Sequence, residues 1–121
     1  MWLLEELRVP YELKTYQRQA GTIFSPVELE KIHPMGKSPT ITITRPGSQP
    51  IVLAESGFIA QYLSEHLAAG KSILPKRWKD GQEDQIGGET EEWMRYTYIL
   101  HYSDASLMST IYLYFILNGM S

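Results

Sequence analysis

The sequence predicts an α/β domain that is followed by the start of an all-α domain, and three patterns carry this prediction. Isoleucine alternates with threonine from Pro39 to Thr44, which is typical of a strand that buries one face. A Pro-Gly-Ser turn follows, and then a second apolar run, Pro50 to Ala54, so the two runs form a hairpin. Between Glu89 and Leu117, apolar residues recur at helical spacing, which predicts a long amphipathic helix.

The elements before the hairpin are predicted to be short. A helix over residues 2–7 places Trp2, Leu3 and Leu7 on one face. Tyr11 to Tyr16 alternates well enough for a strand. A loop around Ala20 to Thr22 then leads to a second short helix.

This second helix is predicted from Pro26 to Ile32. Ser25 is its expected N-cap, because serine followed by proline is a common helix start. The chain then turns over residues 33–36 and enters the hairpin.

After the hairpin, Glu55 and Ser56 lead into a third helix. Its predicted core face consists of the residues that recur at helical spacing, which are Ile59, Tyr62, Leu63 and Leu67. Gly70 is the predicted stop of this helix.

The predicted boundaries are residues 1–70 for the α/β part, 71–88 for a polar linker and 89–121 for the helical part. The predicted inner face of the long helix consists of Trp93, Tyr96, Leu100, Leu107, Ile111 and Tyr114. One long helix cannot bury its own apolar stripe.

Composition excludes several classes of function. The net charge of −3 and the scattered basic residues argue against nucleic-acid binding, which needs a basic stripe. The chain has no cysteine, so disulfides, thiolate metal sites and a cysteine nucleophile are excluded, and a cytoplasmic location is expected. Its three histidines are far apart, so no helical metal pair is expected. The most apolar stretch, Leu107 to Leu117, is too short to span a bilayer.

Candidate binding residues lie where the hairpin begins and where it ends. The Ser38–Pro39 bond precedes a strand in a tight loop and is either an ordinary trans bond or a cis bond that leaves the Ser38 backbone free to pair with a peptide. Ser56 either caps its helix or, with the first helical amides, binds a carboxylate. Glu55 would then bind an ammonium group. Lys37 is either a solvated lysine or a partner for a second carboxylate.

Several strings of the sequence resemble the glutathione transferase family. HPMGKSPTI and LAESGFIAQYL, with the spacing between them, are similar to the thioredoxin-like domain of these enzymes. WLLEEL followed by PYE resembles the first helix and second strand of that domain. EEWMRYTYILHYSDASLM resembles the first helix of the all-helical second domain of the family, and its sequence pattern is most similar to that of the fungal and bacterial enzymes.

The resemblance implies a role for each candidate residue. Ser38 would pair through its backbone with the cysteinyl part of glutathione, next to a cis Pro39. Glu55 and Ser56 would hold the γ-glutamyl end, and Lys37 would face the glycine carboxylate. The pocket for a small hydrophobic electrophile would be formed by Tyr98, Tyr102 and Met108. Glutathione would be a co-substrate, with no metal and no membrane or nucleic-acid partner, and a homodimer is expected of the full-length family form.

The sequence also departs from the family pattern. In the family a first strand, and a loop with the serine, tyrosine or cysteine that stabilises the glutathione thiolate, precede the first helix. We expect this chain to be truncated at both ends, to lack a catalytic residue and to have reduced or no transferase activity. The alternative function is that of a non-catalytic module of the same fold, which acts as a regulator or as a docking part of a translation factor.

Overall fold

The computed structural model describes residues 1–17 and 25–119. The chain divides into two compact units, Met1–Lys71 and Ser72–Ser121. The elements of the first unit are α1 (Trp2–Glu6), α2 (Glu28–Ile32), β1 (Thr40–Ile43), β2 (Ile51–Ala54) and α3 (Ser56–His66). The second unit contains α4 (Glu91–Tyr102), a π-helical segment (Ser103–Met108) and α5 (Ser109–Gly119), and a 3₁₀ turn covers Gly70–Ser72.

The predicted hairpin is confirmed. β1 and β2 pair antiparallel, with Thr40 opposite Ala54 and Ile43 opposite Ile51. Ile41 and Ile43 are half-buried while Thr42 between them is exposed, as the alternation predicts. The two strands form one sheet of two strands within the described residues.

The core of the first unit lies between the hairpin, α3 and the end of α1. Its buried residues are Leu7, Leu53, Ile59 and Leu63, with half-buried isoleucines of both strands packed against them. The helical spacing predicted for α3 is therefore confirmed. Burial of each of these side chains is worth about 1.5–3 kcal/mol of transfer free energy, which makes this cluster the main stabilising feature of the unit.

Two details of the predicted helices are wrong. Trp2 does not share the face of Leu7: Trp2 is 80% exposed and Leu7 only 3% exposed. The Trp2 indole N–H instead donates to Glu6 Oε1 at 2.9 Å, one turn along the outer face. α3 ends at His66, before Gly70, and Gly70 begins the 3₁₀ turn against the backbone of Ser64.

The predicted strand from Tyr11 to Tyr16 is not formed. These residues are exposed and pair with no strand in the described part of the chain. Alternation alone does not make a strand, because each strand needs a neighbour to accept its ladder hydrogen bonds. The loop predicted at Ala20–Thr22 lies outside the described residues.

The second helix starts later than predicted. Its N-cap is Val27 rather than Ser25, and its first residue is Glu28. The Leu29 amide donates to the Pro26 carbonyl at 3.1 Å, so a tight turn precedes the helix.

In the second unit, the residues predicted as a linker fold back on themselves. Trp78 and Glu89 form an antiparallel bridge, and the Lys79 amide donates to the Gly88 carbonyl at 2.9 Å. The Thr90 amide donates to the Arg77 carbonyl at 2.8 Å. Thr90 also caps α4, because its hydroxyl accepts from the Trp93 amide at 3.2 Å.

The π-helical segment shifts the inner face of the long helix. The predicted face is confirmed at Trp93, Tyr96, Leu100 and Ile111, which are half-buried. It is wrong at Leu107 and Tyr114, which are exposed. Within the π-helical segment, which has more residues per turn than an α-helix, the half-buried residue is Met108 rather than Leu107.

Candidate functional site

The hairpin register brings the two predicted halves of the binding site to one end of the sheet. Thr40 pairs with Ala54, so the residues just before β1 and just after β2 lie side by side at the same end of the hairpin. These residues are Lys37, Ser38, Pro39, Glu55 and Ser56, and all five are exposed. We call this group the hairpin-end site.

On the β1 side, the peptide bond between Ser38 and Pro39 is cis. The cis alternative for this bond is therefore the one observed. The Ser38 amide and carbonyl make no hydrogen bond within the described residues. The Thr40 hydroxyl donates to the Lys37 carbonyl at 2.7 Å, which ties the loop to the start of the strand. An extended ligand can pair with the exposed Ser38 backbone as a neighbouring strand would.

The turn that leads into this loop is held by local contacts. The Gly36 amide donates to the His33 carbonyl at 2.9 Å, and Gly36 has a φ of +57°, which favours glycine. The His33 ring accepts the Met35 amide at Nδ1, at 3.3 Å. His33 therefore has a structural partner within its own turn.

On the β2 side, the backbone of Glu55 is strained. Its φ of 72° and ψ of 122° lie outside the regions that residues with a Cβ atom normally adopt. Such a conformation costs about 1–3 kcal/mol and persists where the surrounding structure enforces it, often at functional sites. The Glu55 carboxylate is exposed and has no ion-pair or hydrogen-bond partner among the described residues.

Ser56 does not cap α3. The N-cap is Glu55, Ser56 is the first residue within the helix, and no side chain at the cap accepts a hydrogen bond from the helix. The first backbone bond of α3 runs from the Ile59 amide to the Glu55 carbonyl at 2.9 Å. The amides of the first turn, with the Ser56 hydroxyl beside them, therefore offer donors to an anion.

The charges of the hairpin-end site are unpaired within the described residues. The two ion pairs found among the described residues, Lys14–Glu12 and Lys76–Asp80, both lie outside this site. The Lys37 ammonium is thus available for a ligand carboxylate and the Glu55 carboxylate for a ligand ammonium. The described residues contain no cluster of three potential metal ligands.

Tyr98 and Tyr102 lie in the second unit, on an exposed face of α4. Their rings stack, with centroids 5.8 Å apart and an interplanar angle of 15°. They line an open groove, which we call the α4 groove, together with Arg77, Glu89, Trp93 and His101. Met108 is on the half-buried stripe and is not among the residues that line the groove.

Sequence reasoning missed Arg77, Glu89 and His101 as residues of this groove. The pattern that could have indicated it is a second stripe along α4 and the π-helical segment, at positions 93–94, 97–98, 101–102 and 105–106. Arg77 and Glu89 could not be placed there from spacing, because the bridge between Trp78 and Glu89 brings them together.

Tyr11 carries a hydroxyl group in the first unit, but this group is already occupied. It donates to Glu5 Oε1 at 2.6 Å. This hydrogen bond to a carboxylate raises the pKa of Tyr11 above its usual value. A phenol with a raised pKa is a poorer acid, so Tyr11 is not suited to stabilise a thiolate.

Comparisons with known proteins show the family. The family model for the glutathione S-transferase N-terminal domain matches residues 1–65. The chain is 35% identical over 120 residues to "Glutathione S-transferase 1" of Saccharomyces cerevisiae, covering 98% of this chain and 45% of that protein. It is 34% identical over 112 residues to "Glutathione S-transferase 3" of Schizosaccharomyces pombe, covering 93% of this chain and 38% of that protein. No solved structure gives a significant match.

The chain therefore belongs to the glutathione S-transferase family, as the resemblance of its motifs indicated. It spans less than half the length of these two relatives. The fold prediction is also confirmed: the first unit is the α/β, thioredoxin-like N-terminal domain of the family, and a helical segment follows it. No helix among the described residues is both long and apolar enough to cross a membrane.

Proposed function

We propose that the chain binds glutathione at the hairpin-end site and presents it for conjugation to electrophilic substrates. The observation that carries this proposal is the strained backbone of Glu55, at φ 72° and ψ 122°. A glycine would occupy this position at lower cost, whereas the glutamate holds a free carboxylate beside the first turn of α3. This placement suits a ligand that carries an ammonium group and a carboxylate at one end.

Glutathione matches the site at each of its parts. Its γ-glutamyl ammonium group forms an ion pair with Glu55, and the neighbouring carboxylate accepts hydrogen bonds from the Ser56 hydroxyl and the first amides of α3. Its cysteinyl part pairs with the Ser38 backbone next to the cis Pro39. Its glycine carboxylate meets Lys37.

The proposed reaction uses the sulfur of glutathione as the nucleophile. The thiol loses its proton to solvent water, the thiolate attacks the electrophilic carbon, a carbon–sulfur bond forms and the leaving group departs with its electron pair. Tyr98, Tyr102 and Met108 are proposed as contacts of the electrophile. A cytoplasmic location and a homodimer are part of the same proposal, and no residue of this chain is assigned as catalytic.

Retention on immobilised glutathione tests the binding site. The unchanged chain should be retained and eluted by free glutathione, and Ser56→Ala should be retained less, because it removes one donor to the ligand carboxylate. The matched control is Ser48→Ala, an exposed serine in the turn between β1 and β2, at the opposite end of the hairpin. The proposal fails if the unchanged chain flows through, and the role of Ser56 fails if Ser56→Ala and Ser48→Ala are retained equally.

A further inference from the structure

Thr40 lies at the first position of β1, where pairing with the buried Ala54 of β2 fixes its backbone. Its side chain is β-branched, so few rotamers are open to it. Its hydroxyl donates to the Lys37 carbonyl at 2.7 Å, and no backbone amide of the described residues donates to this carbonyl. Within the part of the chain that the structure describes, the Thr40 hydroxyl is therefore the group that holds the Lys37 carbonyl in place.

The direction of the Lys37 carbonyl sets the direction of the Ser38 amide. The peptide bond between these two residues is trans, so its carbonyl and its N–H lie in one plane and point in opposite directions. Because the carbonyl is turned toward the Thr40 hydroxyl, the Ser38 N–H points away from the Thr40 side chain. It meets no hydrogen-bond acceptor there among the described residues.

The Ser38 N–H is the one backbone donor between Lys37 and the start of β1, because Pro39 has no N–H. An untied peptide plane rotates, and this rotation would turn the donor away from a ligand. A plane that is already held presents the donor before the ligand arrives, which lowers the entropic cost of binding.

We propose that Thr40 is a positioning residue for glutathione: its hydroxyl holds the Lys37 carbonyl so that the Ser38 N–H is aimed at the cysteinyl part of the ligand. This inference rests on the proposed function of the hairpin-end site. Thr40 does not contact the ligand, and its effect is carried by the peptide plane between Lys37 and Ser38.

Calorimetric titration of three variants with glutathione tests this role. Thr40→Val removes the hydroxyl but keeps the β-branched shape, and it should bind about fivefold more weakly, the scale of one neutral hydrogen bond. Thr40→Ser keeps the hydroxyl and should bind as tightly as the unchanged chain. Thr42→Val is the matched control and should also bind unchanged, because Thr42 lies on the same strand and its hydroxyl makes no hydrogen bond within the described residues.

The Ser38 amide signal in the ¹⁵N-labelled chain separates positioning from a general stabilisation of the hairpin. At saturation with glutathione, the amide proton should move downfield, because it donates a new hydrogen bond to the ligand. This shift should be retained in Thr40→Ser and smaller in Thr40→Val. A purely stabilising hydroxyl would lower the urea midpoint of Thr40→Val without reducing the shift at saturation.

Three outcomes would overturn the proposal while glutathione binding itself stands. They are equal affinity of Thr40→Val and Thr42→Val, an affinity of Thr40→Ser as low as that of Thr40→Val, and a Ser38 signal that does not move in the unchanged chain. The last needs no variant, so it decides the question even where Thr40→Val does not fold. No binding of glutathione by the unchanged chain would overturn the proposed function and this proposal together.

Discussion

Replacing Glu55 with glycine should stabilise the first unit while weakening its binding of glutathione. The native φ of 72° and ψ of 122° cost a residue with a Cβ atom about 1–3 kcal/mol, and glycine removes most of that cost. Glycine also makes the unfolded chain more flexible, which costs about 0.4–1 kcal/mol. The net gain in the free energy of unfolding is about 1 kcal/mol, and glycine remains an acceptable N-cap for α3.

The matched control is Glu55→Ala, which removes the same carboxylate but keeps the Cβ atom. Both variants should bind glutathione more weakly by about threefold, the scale of one exposed ion pair. Glu55→Gly alone should gain stability, so the difference between the two variants isolates the backbone strain. Urea unfolding followed by circular dichroism gives the free energies, and calorimetric titration gives the affinities.

Two outcomes would contradict these expectations for Glu55. If Glu55→Gly is no more stable than Glu55→Ala, the Glu55 backbone stores no strain. If both variants bind glutathione as tightly as the unchanged chain, Glu55 does not contact the ligand, and the strained conformation has a purely structural origin.

Three further predictions concern Tyr11 and Gly70 of the first unit. Tyr11→Phe should leave glutathione retention and any conjugation of an aryl halide unchanged, because the Tyr11 hydroxyl is bound to Glu5; a large loss of activity would contradict this. Because the pKa of Tyr11 is raised in the folded state, Tyr11 contributes to stability below its unfolded pKa of about 10, and this contribution is lost as the pH rises through the folded pKa. The urea midpoint of the unchanged chain should therefore fall over this alkaline range. In Tyr11→Phe this part of the fall should be absent. Gly70→Ala should cost about 1–3 kcal/mol in urea unfolding, because its Cβ would collide with the Ser64 backbone. Gly119→Ala, where the added Cβ meets open space, is the control and should cost nothing.

The parts of the fold that could be predicted from the sequence are those set by local periodicity. The alternation in residues 39–44 predicts a strand, and the helical spacing of Ile59 and Leu63 predicts α3, because each pattern matches the geometry of one element. Since the hairpin follows from these patterns, the meeting of the Pro39 loop with the Glu55–Ser56 junction could be predicted as well.

The parts that could not be predicted depend on contacts distant in sequence or on helix irregularities. Tyr11 to Tyr16 alternates like a strand, but a strand also needs a neighbour, which its own residues do not specify. Within the π-helical segment Met108 is half-buried instead of Leu107, although no proline or glycine interrupts residues 103–108 to indicate this irregularity. The groove contact of Arg77 with Trp93 depends on the bridge between Trp78 and Glu89, which spacing does not reveal.

The boundary of α3 shows how a shift of one residue changes the interpretation of a site. In the sequence, a serine after a strand and before a helix is most simply an N-cap, and an N-cap serine uses its own hydroxyl to satisfy the helix amides. In the structure, Glu55 occupies the cap position in a conformation that costs energy, so Ser56 falls inside the first turn and its hydroxyl is left free of helix amides. The same backbone conformation thus creates both a free hydroxyl and a free carboxylate at the helix start. In a Glu55→Gly background, Ser56→Ala should weaken glutathione binding further, because Ser56 is one of the contacts that remain beside Lys37 and the Ser38 backbone.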